Sequence, residues 1–355
     1  MQGSVSPDMK VLVTGSSGHL GEALTRTLVN SGHQVIGLDL LPSPFTNRMG
    51  SIADRSFVGE CMTGVEAVFH AATLHKPHVA THTRQDFVDT NVSGTLNVLE
   101  ESVAAGVRSF VYTSTTSIFG DALVPPGGGP AAWVTEEVAS IPKNIYGVTK
   151  AAAEDLCQLF HRNRGLACIV LRTSRFFPEE DDDRVVREAF EDINLKVNEY
   201  LYRRVELEDV VSAHLLAAER GPALGFRRYI ISATTPFTPS DLAELRSAAP
   251  IAARRRVPLY EAEYARRGWR MVPGIDRVYV NKRARDELGW RPRYDFQFLI
   301  SRLSAGHDIR SPLAQLVGSK GYHPETFTDG PYPVEPLWSV RDTAARGAGD
   351  DDEKF

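Results

Sequence analysis

Between an apolar run, Val11 to Val13, and an amphipathic stretch stands Thr14-Gly15-Ser16-Ser17-Gly18-His19-Leu20-Gly21, and few turns restrict a chain more tightly. Glycines at this spacing allow a tight exit from a strand, close approach of the backbone to a bound pyrophosphate, and close packing of the next helix on that strand. That helix is predicted from Leu20, Ala23, Leu24 and Leu28, which share one face until Gly32 ends it. A strand, a glycine turn and a helix in this order open a parallel βαβ unit.

The alternation continues through the first two thirds of the chain. Further strands are predicted at Val35 to Leu38, Ala67 to Ala71, Phe110 to Thr113, Ile169 to Leu171 and Tyr229 to Ser232, with helical stretches such as Phe87 to Ala105 between them. Strands this apolar suit a sheet covered on both faces. The expected fold class is α/β: a doubly wound parallel sheet of the Rossmann type with a smaller C-terminal substrate lobe. Residues 9–178 and 206–233 are assigned to the nucleotide-binding domain, and 179–205 and 234–305 to the lobe. The lobe contains a predicted strand, Arg277 to Val280, and a helical pattern from Glu179 to Leu201. The run Glu179-Glu180-Asp181-Asp182-Asp183 reads as a solvated helix start rather than a metal site. Arg254, Arg255, Arg256, Arg266, Arg267 and Arg270 read as a solvated face, with an anion-holding role as the alternative. Residues 306–355, rich in glycine and proline and acidic at the end, are expected to form a loosely ordered tail.

A net charge of -5 gives no overall field toward nucleic acid or an anionic membrane, so the expected partner is a small molecule. No apolar stretch is long enough to span a bilayer and the N-terminus has no apolar leader, which points to a soluble cytoplasmic protein. Cys61, Cys157 and Cys168 lack metal-like spacing and read as free thiols of a reducing compartment, and no metal site is expected.

Two constellations carry chemistry. The first joins the turn residues Gly15, Ser17, Gly18, His19, Leu20 and Gly21 to Asp39 at the end of the second strand. A carboxylate there accepts hydrogen bonds from adenosine ribose hydroxyls and repels a 2'-phosphate, so the expected cofactor is NAD rather than NADP. The second is Tyr146-Gly147-Val148-Thr149-Lys150, in which helical spacing lets the Lys150 ammonium lie near the Tyr146 phenol. A lysine and a positive nicotinamide ring favour the ionised phenol, which can then take a proton from an alcohol. Upstream, Thr113-Ser114-Thr115-Thr116-Ser117 offers a hydroxyl to orient the substrate oxygen.

Together these residues resemble the extended short-chain dehydrogenase/reductases, and among them the NAD-dependent epimerase/dehydratase family. The likeness runs from Lys10 to about Trp290. It includes Gly50-Ser51-Ile52-Ala53-Asp54, Val68-Phe69-His70-Ala71-Ala72, Asn91 with Gly94-Thr95, Ile118-Phe119-Gly120, and Glu287-Leu288-Gly289-Trp290. The resemblance implies Thr115 as the catalytic hydroxyl, Tyr146 as the base, and Lys150 as the residue that holds the nicotinamide ribose. It further implies cofactor contacts at Ser51, Ile52, Ala71, Ala72, Thr73, Asn91, Thr113 and Thr173, and a homodimer paired through Phe87 to Ala105 and Tyr146 to Arg162.

Departures narrow the chemistry. Family dehydratases carry Asp-Glu after the catalytic threonine, where this chain has Thr116 and Ser117, so dehydration is disfavoured. Arg175 stands where the family often has an asparagine for a nucleotide-sugar phosphate. It is expected either to face a substrate carboxylate or to pair with an acid of the run from Glu179. The leading expectation is NAD-dependent oxidation or epimerisation of a secondary hydroxyl on a sugar, sugar acid or nucleotide sugar, with a uronate-type dehydrogenase as one form. The alternatives are a reductase of steroid-like or flavonoid-like ketones, and an NAD-binding regulatory protein without catalysis.

Overall fold

The strands predicted as apolar runs lie side by side in one sheet. The computed structural model describes residues 9–323, 327 and 330–333. Its strands are β1 (Lys10–Thr14), β2 (Gln34–Asp39), β3 (Arg48–Met49), β4 (Ala67–His70), β5 (Ser109–Thr115), β6 (Ala132–Val134), β7 (Cys168–Thr173), β8 (Phe226–Ile231) and β9 (Arg277–Tyr279). Seven of them form a parallel sheet in the order β3-β2-β1-β4-β5-β7-β8, and β6 pairs with β9 in a separate parallel pair. The chain leaves β1 toward β2 on one side and returns to β4 on the other. Such a reversal opens a crevice at the carboxyl ends of the strands, where ligands of open α/β sheets bind.

Alternate side chains of each strand feed opposite cores, as a period of two requires. Val11, Val13, Phe69, Val111, Ile169 and Leu171 pack with α1 (His19–Asn30), while Leu12, Val68, Phe110, Tyr112 and Val170 pack with α2 (Arg55–Cys61) on the other face. Beyond α2 the chain forms α3 (Arg84–Phe87), α4 (Thr95–Ala104) and α5 (Ile145–Arg164). The predicted helix Phe87 to Ala105 is therefore present but interrupted: Val88–Gly94 winds as a π turn between α3 and α4. After β7 come α6 (Arg184–Ala189), α7 (Asp192–Glu199) and α8 (Leu207–Leu224), so the helical pattern from Glu179 divides at Phe190. Helix α8 joins α1 on the first face. The lobe adds α9 (Leu242–Arg256), α10 (Tyr260–Arg267), α11 (Lys282–Glu287) and α12 (Phe296–Ser304), with its own core around Tyr264, Tyr294 and Phe296.

Two expectations need correction here. The acidic run is not a solvated helix start. Only Asp183 caps α6, whereas Asp181 is buried against Arg175 and Arg203, Asp182 pairs with Lys76, and Glu179 accepts from His19 and Ser319. Nor is the chain loose immediately after residue 306. It forms α13 (Pro312–Val317), capped by Ser311, and then crosses the mouth of the crevice as far as His323. Residues 334–355, the rest of the expected tail, lie outside the described residues.

The arginines of the lobe are engaged locally. Arg255 and Arg256 share Asp241, Arg266 and Arg267 share Glu263, Arg254 meets Glu261, and Arg270 donates to the Ala189 carbonyl. The three cysteines are unpaired and buried. Among the described residues no helix is long and apolar enough to cross a membrane.

Candidate active site

The crevice is a cavity of about 880 Å3 that runs from Asp39, Ser51 and Ile52, past the glycine turn, to Tyr146 and Lys150. Its shape depends on side chains that are missing. A Cβ on Gly15, which has φ 75°, would come within 2.7 Å of the Ala72 amide nitrogen, and one on Gly21 within 1.9 Å of the Gly15 carbonyl oxygen. Gly18, at the N-cap of α1, has no side chain to satisfy the first amides of the helix, so these donors and the positive end of the dipole face the cavity. Asp39 accepts from the Ser17 amide at 3.0 Å and from the Leu41 amide at 2.9 Å. A carboxylate has about four acceptor positions, so two remain for ribose hydroxyls. These features fit NAD. Asp39→Ala is expected to weaken NAD about tenfold or more, the scale of a charge-assisted hydrogen bond, and to narrow the preference over NADP. Titration of both cofactors, followed by fluorescence, checks this.

Behind the turn, one hydrogen-bonded chain fixes the loop that follows β4. Thr14 Oγ1 accepts from the Ala71 and Ala72 amides and lies 2.6 Å from His70 Nδ1, whose other nitrogen lies 2.9 Å from Thr95 Oγ1. Thr95 in turn donates to the Asn91 carbonyl. Every partner is satisfied when His70 is neutral with its proton on Nε2, and burial lowers its pKa to about 3, which keeps it neutral. Asn91, expected to touch cofactor, is instead 1% exposed beneath the site. It accepts from Thr73 and the Leu74 amide and donates to Leu74 and Thr149, joining the β4 loop to α5. It is a positioning residue, held in the π turn.

Helix α5 starts at Asn144, whose side chain accepts from the Gly147 amide, and this cap sets Tyr146 and Lys150 one turn apart. Thr115 ends β5, accepts from the Ser117 amide and has its hydroxyl beside the Tyr146 phenol. Burial raises the phenol to a pKa of about 12, opposed by the nearby Thr115 hydroxyl. The Lys150 Nζ donates to the Thr113 carbonyl at 2.6 Å and stands 4.1 Å from the centre of the Tyr112 ring. Burial lowers its pKa to about 7, against the pull of Glu154. The Thr113 hydroxyl is taken by His214, so Thr113 serves this site through its carbonyl. Thr173 donates to the Ser114 carbonyl and clasps β7 to β5.

Residues 11–231 match the NAD dependent epimerase/dehydratase family. The chain belongs to that family. It is therefore an NAD-dependent enzyme of the extended short-chain dehydrogenase/reductase type. A 2-alkyl-3-oxoalkanoate reductase of Stenotrophomonas maltophilia (strain K279a) is 33% identical over 261 residues, 69% of this chain and 77% of that protein. An uncharacterized protein y4nG of Sinorhizobium fredii (strain NBRC 101917 / NGR234) is 35% identical over 167 residues, 45% of this chain, and the chain spans only 39% of its length. Among solved structures, a short-chain dehydrogenase/reductase superfamily protein from Agrobacterium tumefaciens with bound NAD has a TM-score of 0.59 at 22% identity, over 83% of this chain and 96% of that one. That likeness shows the shared fold.

On this family scaffold the end of the cavity beside Tyr146 is lined by residues the sequence did not single out. His75 lies 6.1 Å from the Tyr146 ring and 5.8 Å from Phe177, and Tyr322 stands 5.6 Å from Phe177. Tyr322 belongs to the segment that follows α13. Lys320 there donates its amide to Glu179 and its Nζ to Glu22, and Ser319 and Gly321 also donate to Glu179. Burial opposes ionisation of Glu179, but the His19 and Ser319 bonds win and hold its carboxyl near a pKa of about 2. His19, expected among the cofactor contacts, thus also anchors the end of the chain. Arg175 lines the cavity with its fork given to Asp181 at 2.6 Å and to the Glu180 carbonyl, with Glu199 at 3.6 Å. The ion-pair alternative for this arginine is the one realised.

Proposed function

We propose that this enzyme oxidises a secondary hydroxyl of a polar, sugar-type substrate, a sugar, sugar acid or nucleotide sugar. The observation that supports it most is the Thr115–Tyr146 hydroxyl pair at the carboxyl end of β5, inside the cavity that begins at Asp39. Thr115 holds the substrate oxygen and Tyr146 takes its proton, while Lys150 fixes the strand end through Thr113. NAD, when bound, accepts the hydride from the same carbon. This half-reaction is common to a dehydrogenase, which releases its oxidised product, and an epimerase, which returns the hydride to the other face. Pairing of two copies through α4 and α5 belongs to the same proposal, since Val148 and Leu159 stand exposed on α5.

A second reading, a long apolar ketone or alcohol, draws on the rings of His75, Phe177 and Tyr322 and on the name of the Stenotrophomonas relative. A panel separates the two: glucose, glucuronate and UDP-glucose against a 2-alkyl-3-oxoalkanoate. Nicotinamide absorbance at 340 nm is followed in the oxidising direction for the sugars and in the reducing direction for the keto acid. The proposal expects reduced cofactor with a sugar-type member or, where the hydride is returned, conversion of that member to its epimer, read by chromatography of the same samples. Turnover of the keto acid alone favours the second reading, and absence of both reduced cofactor and epimer with every sugar-type member removes the first.

A further inference from the structure

Among the described residues, the lysine and arginine side chains that line the cavity are matched with partners except at one place. Lys76 pairs with Asp182, Arg175 and Arg203 with Asp181 and Glu199, and Lys320 with Glu22, while Lys150 is held by the Thr113 carbonyl. Arg277, at the start of β9, lines the same cavity on the lobe side beside Tyr279. Among the described residues no acid or carbonyl takes its guanidinium, and its Nε is buried without a hydrogen-bond partner. The adjacent carboxylate, Asp276, is occupied by Arg246 on the other side of the strand pair. An arginine does not shed its charge, and a buried guanidinium donor left unpaired is costly to keep.

We infer that Arg277 receives an oxyanion of the substrate, a carboxylate or a phosphate, and so selects acidic over neutral substrates. The inference rests on the polar-substrate reading above and names its charge. Arg175 cannot serve this purpose, because its fork is already spent on Asp181 and the Glu180 carbonyl. Arg277 can, because a planar set of donors facing a cavity matches two oxygens of one anion. β9 holds the group still: Arg277 is in register with Ala132 of β6, and the next residue, Val278, is fully buried in the lobe core.

The test uses the full chain loaded with NAD. Its thermal midpoint is measured with glucuronate, glucose 6-phosphate, glucose and sodium chloride, all at equal ionic strength. At least one of the two acidic sugars is expected to raise the midpoint above both glucose and chloride. Which one does so identifies carboxylate or phosphate. In Arg277→Gln that extra rise is lost and the affinity for the anion falls about tenfold or more, while Arg277→Lys keeps part of it. NAD affinity, measured in the same samples, is expected to be unchanged in both variants and shows that they are folded. Absence of an anion-specific rise in the wild type, or its survival in Arg277→Gln, overturns the assignment. Formation of reduced cofactor is recorded separately: an acidic sugar that binds through Arg277 without being oxidised leaves the anion site standing and counts against the hydroxyl-oxidation reading alone.

Discussion

Tyr146→Phe is expected to lower turnover at least about a hundredfold while leaving NAD affinity unchanged, the range for loss of a general acid or base being roughly 10² to 10⁴. The substitution keeps the ring that packs beside His75 and removes only the hydroxyl that stands beside Thr115. Oxidation needs the phenolate, and burial holds this phenol up at about 12. The rate of the wild type in the NAD-reducing direction should therefore rise with pH through the neutral range, as the ionised fraction grows. The residual rate of the variant should lack that rise. Steady-state rates across pH, alongside cofactor titration, check both statements. A variant that retains near-normal turnover would place proton transfer elsewhere.

The second large effect concerns stability. Glu154, 2% exposed on α5, accepts from Ser114 at 2.5 Å, from Arg172 at 2.8 Å and from Arg228 at 3.0 Å. Arg172 is itself only 5% exposed. Removing one partner of such a buried pair leaves an uncompensated charge, which costs about 3–5 kcal/mol. Glu154→Ala is expected to lose stability on that scale, read as an earlier urea midpoint of the NAD-free protein. Replacing Arg172 as well, in Glu154→Leu with Arg172→Met, should recover much of the loss, because a matched apolar pair no longer strands the buried Arg172, while Arg228 keeps Asp155 and Gln158. Equal loss in the single and double variants would mean that the volume of Glu154, not its charge, carries the effect. Because Ser114 precedes Thr115, this network also holds the strand end from which the reactive hydroxyl projects.

What could be read in the sequence is what local chemistry decides. The glycine turn was legible because the close approaches of Gly15 to Ala72 and of Gly21 to Gly15 admit no side chain. The six long strands of the sheet were legible because both their faces are buried and their apolar runs are continuous. β3 and β6 were not, since two or three residues carry no period. The acidic run misled for a different reason. Five carboxylates in a row look solvated unless their partners are known, and those partners, His19, Lys76, Arg203, the Ser319 hydroxyl and the Lys320 and Gly321 amides, are distant in sequence. The same blindness separates Arg175 from Arg277. Both are arginines after or on a strand, and only the fold shows which of them has its charge already neutralised.

The segment after α13 that reaches back to α1 has a consequence for the order in which the molecule assembles. The bond between Lys320 Nζ and Glu22 joins residues 298 positions apart. Closing so long a loop is entropically expensive until the sheet between has formed, so this contact belongs to the last steps of folding. It is held by a few polar bonds and the Tyr322 ring rather than by a strand or a long helix, which puts it among the first parts to open under mild destabilisation. This wall of the cavity is thus expected to form after the glycine turn that faces it and to open before it, so hydrogen exchange at the amides of residues 319–322 should precede exchange in β1 and β4.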